Sequence, residues 1–426
     1  MTAEPRVTER PTSRDQGLAH SPASPPGGGL RRRPGSPQPR RRLGTVWRLV
    51  CRLARTRAAR IVAAILVVLM LWTGWSLGRA LTAPGTDTVA ARVAEWARDH
   101  HLNWVVDRLE DVQYWLHPPK SGGEPAGGIP SVGIANTGSQ AAAPGHTQEA
   151  GTGTPGPPPV RPPANPPLPH EGQWQTVDLV RGLPAVRVAY VRPDNVHTSY
   201  LAGLIWMDPT LVVAKMHPGT TDPGGTWPEP SLIPPDWRSS VLAGTNGGFR
   251  LIGSKGGYYA HGRTVIPLRD GAASFVIRQD GTATVADWGR DARMGPDILA
   301  VRQNLDLLVD GGQVNPTCVN NDQGQWGAAD GGAFYIARSG IGITKTGALV
   351  YVAGPAMSVC SLGNVLQAAG VVRGMALDMN PGWIRGTYFT HENGQTIPHK
   401  LSDQMQPPPD RLFHISTRDF FAFYAR

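Results

Sequence analysis

The chain has 426 residues, with 52 Gly, 41 Pro, 40% hydrophobic positions and a formal net charge of +9. That length exceeds one average domain, and so much Gly and Pro excludes packing from end to end. The basic balance would suit nucleic acid. However, residues 1–60 alone hold 14 Arg, no Lys and 3 acids, while the rest of the chain sums to −2. No nucleic-acid-binding domain is implied.

Residues 1–60 read as a disordered basic tail, too rich in Pro, Gly, Ser and Arg to bury a core. Its Arg triplets, Arg31–Arg33 and Arg40–Arg42, suit anionic lipid headgroups, nucleic acid or, as the plainest reading, solvation. Next comes an apolar run, Ile61–Leu77, continuing past Arg79 to Leu81. At about 1.5 Å per residue, some 20 residues cross the hydrocarbon core, so 61–81 is expected to be a transmembrane helix. Trp72 and Trp75 suit the interface. Arg48, Arg52, Arg55, Arg57 and Arg60 precede the span, so the positive-inside rule predicts a cytoplasmic N-terminus and an extracytoplasmic C-terminal part in the plasma membrane. Cys51 then falls on the reducing side, and Cys318 with Cys360 on the exported side, where one disulfide between them is plausible. Neither lies in a Cys-x-x-Cys or His-rich cluster, so no metal site is expected.

Val89, Val93, Trp96, Ala97, Val105, Leu109, Val112 and Leu116 recur at helical spacing, which predicts a membrane-proximal amphipathic helix over 85–117. From 118 to 171 about half of the positions are Gly or Pro, the composition of a linker or spacer. Residues 172–426 form one domain-sized block with 21 basic and 20 acidic residues. Apolar runs such as Ala185–Val191, Ala273–Ile277, Leu305–Val309 and Leu349–Val352 alternate with Gly, Asp and Asn turns. The best helix is Ser361–Ala369, with Ser361 as N-cap. The fold class expected is α+β, dominated by a mixed or antiparallel sheet.

Four clusters in this block combine polar side chains with glycines. Asn246-Gly247-Gly248-Phe249-Arg250 is either a hairpin turn or an amide and backbone N–H groups facing a ligand, with Arg250 available to an anion. Asp310 closes an apolar strand before Gly311-Gly312. Arg338 precedes Ser339-Gly340-Ile341-Gly342, where it is a solvated surface residue or a phosphate clamp. In Leu377-Asp378-Met379-Asn380-Pro381-Gly382-Trp383, alternation puts Asp378 and Asn380 on one strand face beside an indole that suits a pyranose. His261, in Tyr259-Ala260-His261-Gly262, adds a titratable group that is structural, solvated or substrate-binding.

At these clusters the sequence resembles the phosphodiester glycosidase family, whose motifs are Asn-Gly-Gly-Phe, Arg-(Ser/Thr)-Ala-Ile-Gly and Leu-Asn-Leu-Asp-Gly-Gly. Asn246–Phe249 matches the first in full, and Arg338–Gly342 the second with Gly340 in place of Ala. In the third, Asp378 and Asn380 exchange places and Pro381 replaces a Gly. The resemblance implies hydrolysis of a sugar-1-phosphodiester. Asp378, Arg338 and Asp310 would be catalytic, and Asn246, Gly247, Gly248, Arg250, Asn380, Trp383 and His261 would bind substrate. No cofactor is expected, and the partners are a phosphodiester-linked glycan or wall polymer and the lipid bilayer. The alternative is a non-catalytic glycan-binding or envelope-organising module whose site has degenerated through the Asp/Asn exchange.

Overall fold

The structure is a computed structural model that describes residues 56–83, 88–132, 156–327 and 334–426. Most of the Arg-rich tail, Cys51 and the middle of the linker lie outside the described residues. The chain divides into two units, Met1–Trp72 and Thr73–Arg426. Helix α1 (Arg57–Leu81) has no buried side chain, and by length and composition it can cross a membrane. The helix expected over 85–117 is two: α2 (Val89–Asp99), capped by Thr88, and α3 (Asn103–Leu116). Between them His101 takes a left-handed φ of 59°, which ends the first and redirects the chain.

The Gly/Pro-rich stretch is docked at both flanks, a departure from the free spacer expected. Lys120 N donates to Tyr200 Oη, Gly122 N to Val196 O and Val132 N to Gln175 Oε1. Val160 and Ala164 are buried, and the Glu171 carboxylate pairs with Arg192 at 2.9 Å. Composition shows that such a segment cannot build its own core; it does not show that a neighbouring domain can lend one.

Among the described residues eighteen strands follow. They begin with β1 (Gln175–Val180), β2 (Leu183–Val191), β3 (Ala202–Met207), β4 (Val212–His217), β5 (Val241–Asn246) and β6 (Tyr258–Ala260). Then come β7 (Arg263–Ile266), β8 (Ala273–Arg278), β9 (Ala283–Asp287), β10 (Ile298–Gln303), β11 (Leu307–Asp310) and β12 (Gln313–Val314). The last are β13 (Ile336–Thr344), β14 (Leu349–Met357), β15 (Val371–Ala376), β16 (Gly386–Glu392), β17 (Gln395–Lys400) and β18 (Phe420–Ala425). They build an eight-stranded sheet, β1-β2-β3-β14-β13-β15-β11-β12, and two of five, β7-β6-β10-β8-β9 and β17-β16-β5-β18-β4. Pairing is antiparallel, as in β13 with β14 and β18 with β5, and the class is sheet-rich α+β.

One face of the large sheet, with Val188, Ile205, Ile341 and Tyr351, packs against Ala243, Phe275, Phe421 and Phe423 of the smaller sheets. The other face, with Leu204, Val350 and Val352, packs beneath α4 (Val359–Ala368) through Leu362, Val365 and Leu366. The N-cap of α4 is Ser358, three residues before the cap expected, because its Oγ accepts from Ser361 N at 2.9 Å. Glycine in β13 lets α4 approach: a Cβ on Gly340 would stand 2.8 Å from Met375 O and 3.3 Å from the Leu362 side chain.

Cys318 and Cys360 are bonded, across Cα atoms 5.0 Å apart and a sequence separation of 42. Closing a loop of that length removes chain entropy worth about 4 kcal/mol from the unfolded state. Cys360→Ser is therefore expected to lower the thermal midpoint by roughly 10 °C. A scan with and without reductant checks this, and a midpoint insensitive to both changes would contradict it.

Candidate functional site

The three motifs meet through Asn246 and Ser339. Asn246, the last residue of β5, is buried and fully engaged. Its Oδ1 accepts from Tyr351 Oη at 2.7 Å and from Arg385 N at 3.2 Å, while its Nδ2 donates to Ser339 Oγ and Gly247 O. Ser339 Oγ in turn donates to Asp378 O and accepts from Asp378 N. Asn246 thus ties strands together and leaves no amide atom for a ligand.

Gly247 and Gly248 are buried, and close packing explains them better than exposed N–H groups do. A Cβ on Gly247 would stand 2.4 Å from the Asp419 carboxylate, and one on Gly248 2.9 Å from Asn304 Oδ1. Behind them Arg302 and Asp419 form an ion pair at 2.9 Å with side chains 0% and 1% exposed.

The segment Asp378–Trp383 is a loop, because β15 ends at Ala376. The single strand face expected for Asp378 and Asn380 is absent for a local reason. Asp378 Oδ1 accepts from the N–H groups of Met379 and Asn380, Asn380 Oδ1 accepts from Gly382 N, and Pro381 has no N–H for a ladder. Asp378 Oδ2 accepts from Arg418 Nη2 at 2.7 Å. Both carboxylate oxygens are therefore committed, and Asp378 acts by fixing Arg418. The Arg418 guanidinium lies 4.9 Å from the centre of the Trp383 ring and also donates to Gly248 O.

Arg418, Trp383, Arg250 and Asp222 line a cavity of about 170 Å³, with Glu95 and Asp99 of α2 on its other wall. Glu95 stands 3.1 Å from Arg250, and Asp99 2.5 Å. Burial works against the Arg250 charge, but these two carboxylates outweigh it and hold its pKa above the ordinary value. Asp222 Oδ2 accepts from Leu251 N, which turns the carboxylate toward Arg250's end of the cavity wall.

Arg338 lies on the other face of β13 from Ser339, since neighbouring side chains alternate. It is buried, donates to Met357 O and Asn321 Oδ1 beside the disulfide, and reaches the third motif only at Met379 Sδ, 3.9 Å away. Burial draws its pKa down to about 10, so it stays charged at neutral pH, and among the described residues no carboxylate pairs with it.

Two expected site residues lie apart. Asp310 is exposed and paired with Arg290 at 2.7 Å. It faces Arg373 across the ladder, near the start of β15, whereas Asp378 follows the end of that strand. His261 turns between β6 and β7 and pairs with Glu229 at 2.5 Å. Sequence reasoning missed Asp222, Ser339, Arg418 and the acids of α2. Asp222-Pro223-Gly224 reads as a plain turn, whereas Arg418-Asp419 before the apolar run Phe420–Ala425 was a usable signal: charges abutting a core strand must be paired.

Fold and site together describe a sheet-rich α+β domain with a cavity lined by arginine, tryptophan and carboxylate side chains. Residues 239–378 match the family described as phosphodiester glycosidase. The match contains Asn246–Phe249 and Arg338–Gly342 and ends on Asp378, so the resemblance drawn from the motifs holds over that span. No curated protein matches the chain. Among solved structures it is similar to the zebrafish N-acetylglucosamine-1-phosphodiester alpha-N-acetylglucosaminidase catalytic domain auto-inhibited by pro-peptide. Identity there is 15%, over 60% of this chain and 88% of that one, with a TM-score of 0.37. A hypothetical protein from Synechocystis is 11% identical over 60% of this chain and 64% of that one, TM-score 0.33. A putative exported protein from Burkholderia pseudomallei is 12% identical over 53% and 74%, TM-score 0.25.

Proposed function

We propose that the protein hydrolyses a sugar-1-phosphodiester in a cell-envelope glycan, from a single-pass anchor in the plasma membrane with its N-terminus cytoplasmic. The family match supports the reaction class. The observation that carries the reading is the cavity in which Arg250, Arg418 and Trp383 converge and where carboxylates already stand on Arg250. In the reaction, water attacks the anomeric carbon and the C1–O bond breaks. The bonding pair leaves on the bridging oxygen, giving a phosphomonoester dianion, a weakly basic leaving group whose developing charge the two guanidiniums stabilise. Asp222 takes the proton of the attacking water, Trp383 packs on the sugar, and Asp378 holds Arg418 in place. Arg338, buried without a counter-charge among the described residues, supplies further positive potential.

Substrate must displace Glu95 and Asp99, because a phosphate and two carboxylates compete for one guanidinium. The test uses the full chain in detergent with an activated sugar-1-phosphodiester. The parent is expected to release free sugar, and Glu95→Gln with Asp99→Asn to raise kcat/KM about tenfold, an increment of about 1.4 kcal/mol. The second reading, a glycan-binding module, is favoured by the engagement of both Asp378 oxygens. Binding without release by parent and variant alike would select it and end the enzymatic reading.

A further inference from the structure

Helix α3 carries an apolar face that is exposed among the described residues. Trp104, Leu109, Val112, Trp115 and Leu116 are 53–79% exposed. At 100° per residue these five positions fall within an arc of about 140°. Val106, on the opposite side, is buried. Such a face in water costs free energy, and two Trp side chains in it are the side chains that favour the boundary between headgroups and acyl chains.

The elements before α3 indicate what covers it. The last turns of α1 carry Trp75, with the Arg79 guanidinium 5.1 Å from its ring centre, an arrangement that belongs at the end of a span. Ser76, in those turns, accepts from Trp96 Nε1 at 3.1 Å and bonds His100 Nε2 at 3.1 Å. Arg92 Nη1 donates to Leu81 O at 2.7 Å and to Ala83 O. Helix α2 is thus held beside the end of the apolar helix, at the depth where a span meets the headgroups. The turn at His100–Leu102 leads directly from α2 into α3.

We infer that α3 is an interfacial helix whose Trp104–Trp115 face lies in the headgroup and acyl boundary of the bilayer on the side where α1 ends. The proposal rests on α1 spanning that bilayer. It goes beyond a simple anchor, since the membrane then holds both helices of the hairpin whose acids, Glu95 and Asp99, stand on Arg250.

The test uses the full chain with Cys51→Ser, reconstituted in phosphatidylcholine vesicles with a minor share of phosphatidylglycerol. Nitroxides are placed through Trp104→Cys, Trp115→Cys, Val67→Cys and Met294→Cys, one per preparation. Each is read by collision with oxygen, which concentrates in lipid, and with a water-soluble nickel chelate. The expected result is oxygen-dominated relaxation at 67, 104 and 115 and nickel-dominated relaxation at 294. Nickel access at 104 and 115 equal to that at 294, with 67 protected, overturns the docking while leaving the span intact. Nickel access at 67 overturns both. Dipolar broadening at 104 or 115 that disappears on dilution with unlabelled chain assigns the face to a second copy, and also overturns the proposal.

Discussion

Asp222→Asn is expected to lower kcat for sugar release by about two to four orders of magnitude, with KM within about threefold of the parent. The carboxylate lines the cavity with Arg250 and Arg418, whereas Asp378, the acid that the motifs single out, has both oxygens engaged by Arg418 and two backbone N–H groups. A base must have an oxygen to offer, and Asp222 is the cavity-lining carboxylate placed on the domain itself. The substitution is isosteric, and an Asn oxygen can still accept from Leu251 N. It also removes a negative charge that repels Asp419 and pushes its pKa upward, behind the larger effect of burial. It gives up an attraction to the Arg302 and Arg250 guanidiniums at the same time, so the thermal midpoint is expected to hold. Steady-state kinetics and a thermal scan on the same preparation separate the outcomes: unchanged kcat removes Asp222 from the chemistry, and a collapsed midpoint would make its role structural.

The distinction between Asp222 and Asp378 shows where local sequence stops being informative. Strands β2, β8 and β14 were readable because β-branched and aromatic residues in short runs have few alternatives to a buried strand. The motif residues were readable as a group, and Ser339 does tie Asn246 to Asp378. Their individual roles were not, because each depends on a partner remote in the chain. Asn246 looked like a ligand-binding amide until Tyr351 and Arg385 took its oxygen, and Gly247 looked like a turn residue until Asp419 filled the space a Cβ would need. The break at His101 has no Gly or Pro to mark it, so periodicity continued through it. Likewise, Glu95 and Asp99 carry no sign in the local sequence that they face an arginine more than 150 residues away and not solvent.

Asp419→Asn is expected to destabilise the Thr73–Arg426 unit by about 3–5 kcal/mol, because it leaves the Arg302 guanidinium buried without its counter-charge. For a domain of this size the midpoint should fall by roughly 10 °C. The pair is a strong case: side chains 0% and 1% exposed, Nε to Oδ2 at 2.9 Å, with Nη1 donating to Gln303 O and Nη2 to Phe249 O and Asp419 Oδ1. Arg302→Met with Asp419→Leu should recover most of the loss, since two apolar side chains of similar volume need no desolvation. Activity is expected to stay low in that double variant. Asp419 and Arg302 pack against Gly247 and Gly248, and Gly248 O is one of the two acceptors that hold Arg418 over Trp383. Recovery of midpoint without recovery of kcat/KM would show that the buried pair sets the position of the site's guanidinium. Recovery of both would reduce it to a stability element, and a single variant within about 1 °C of the parent would mean that the pair is not desolvated at all.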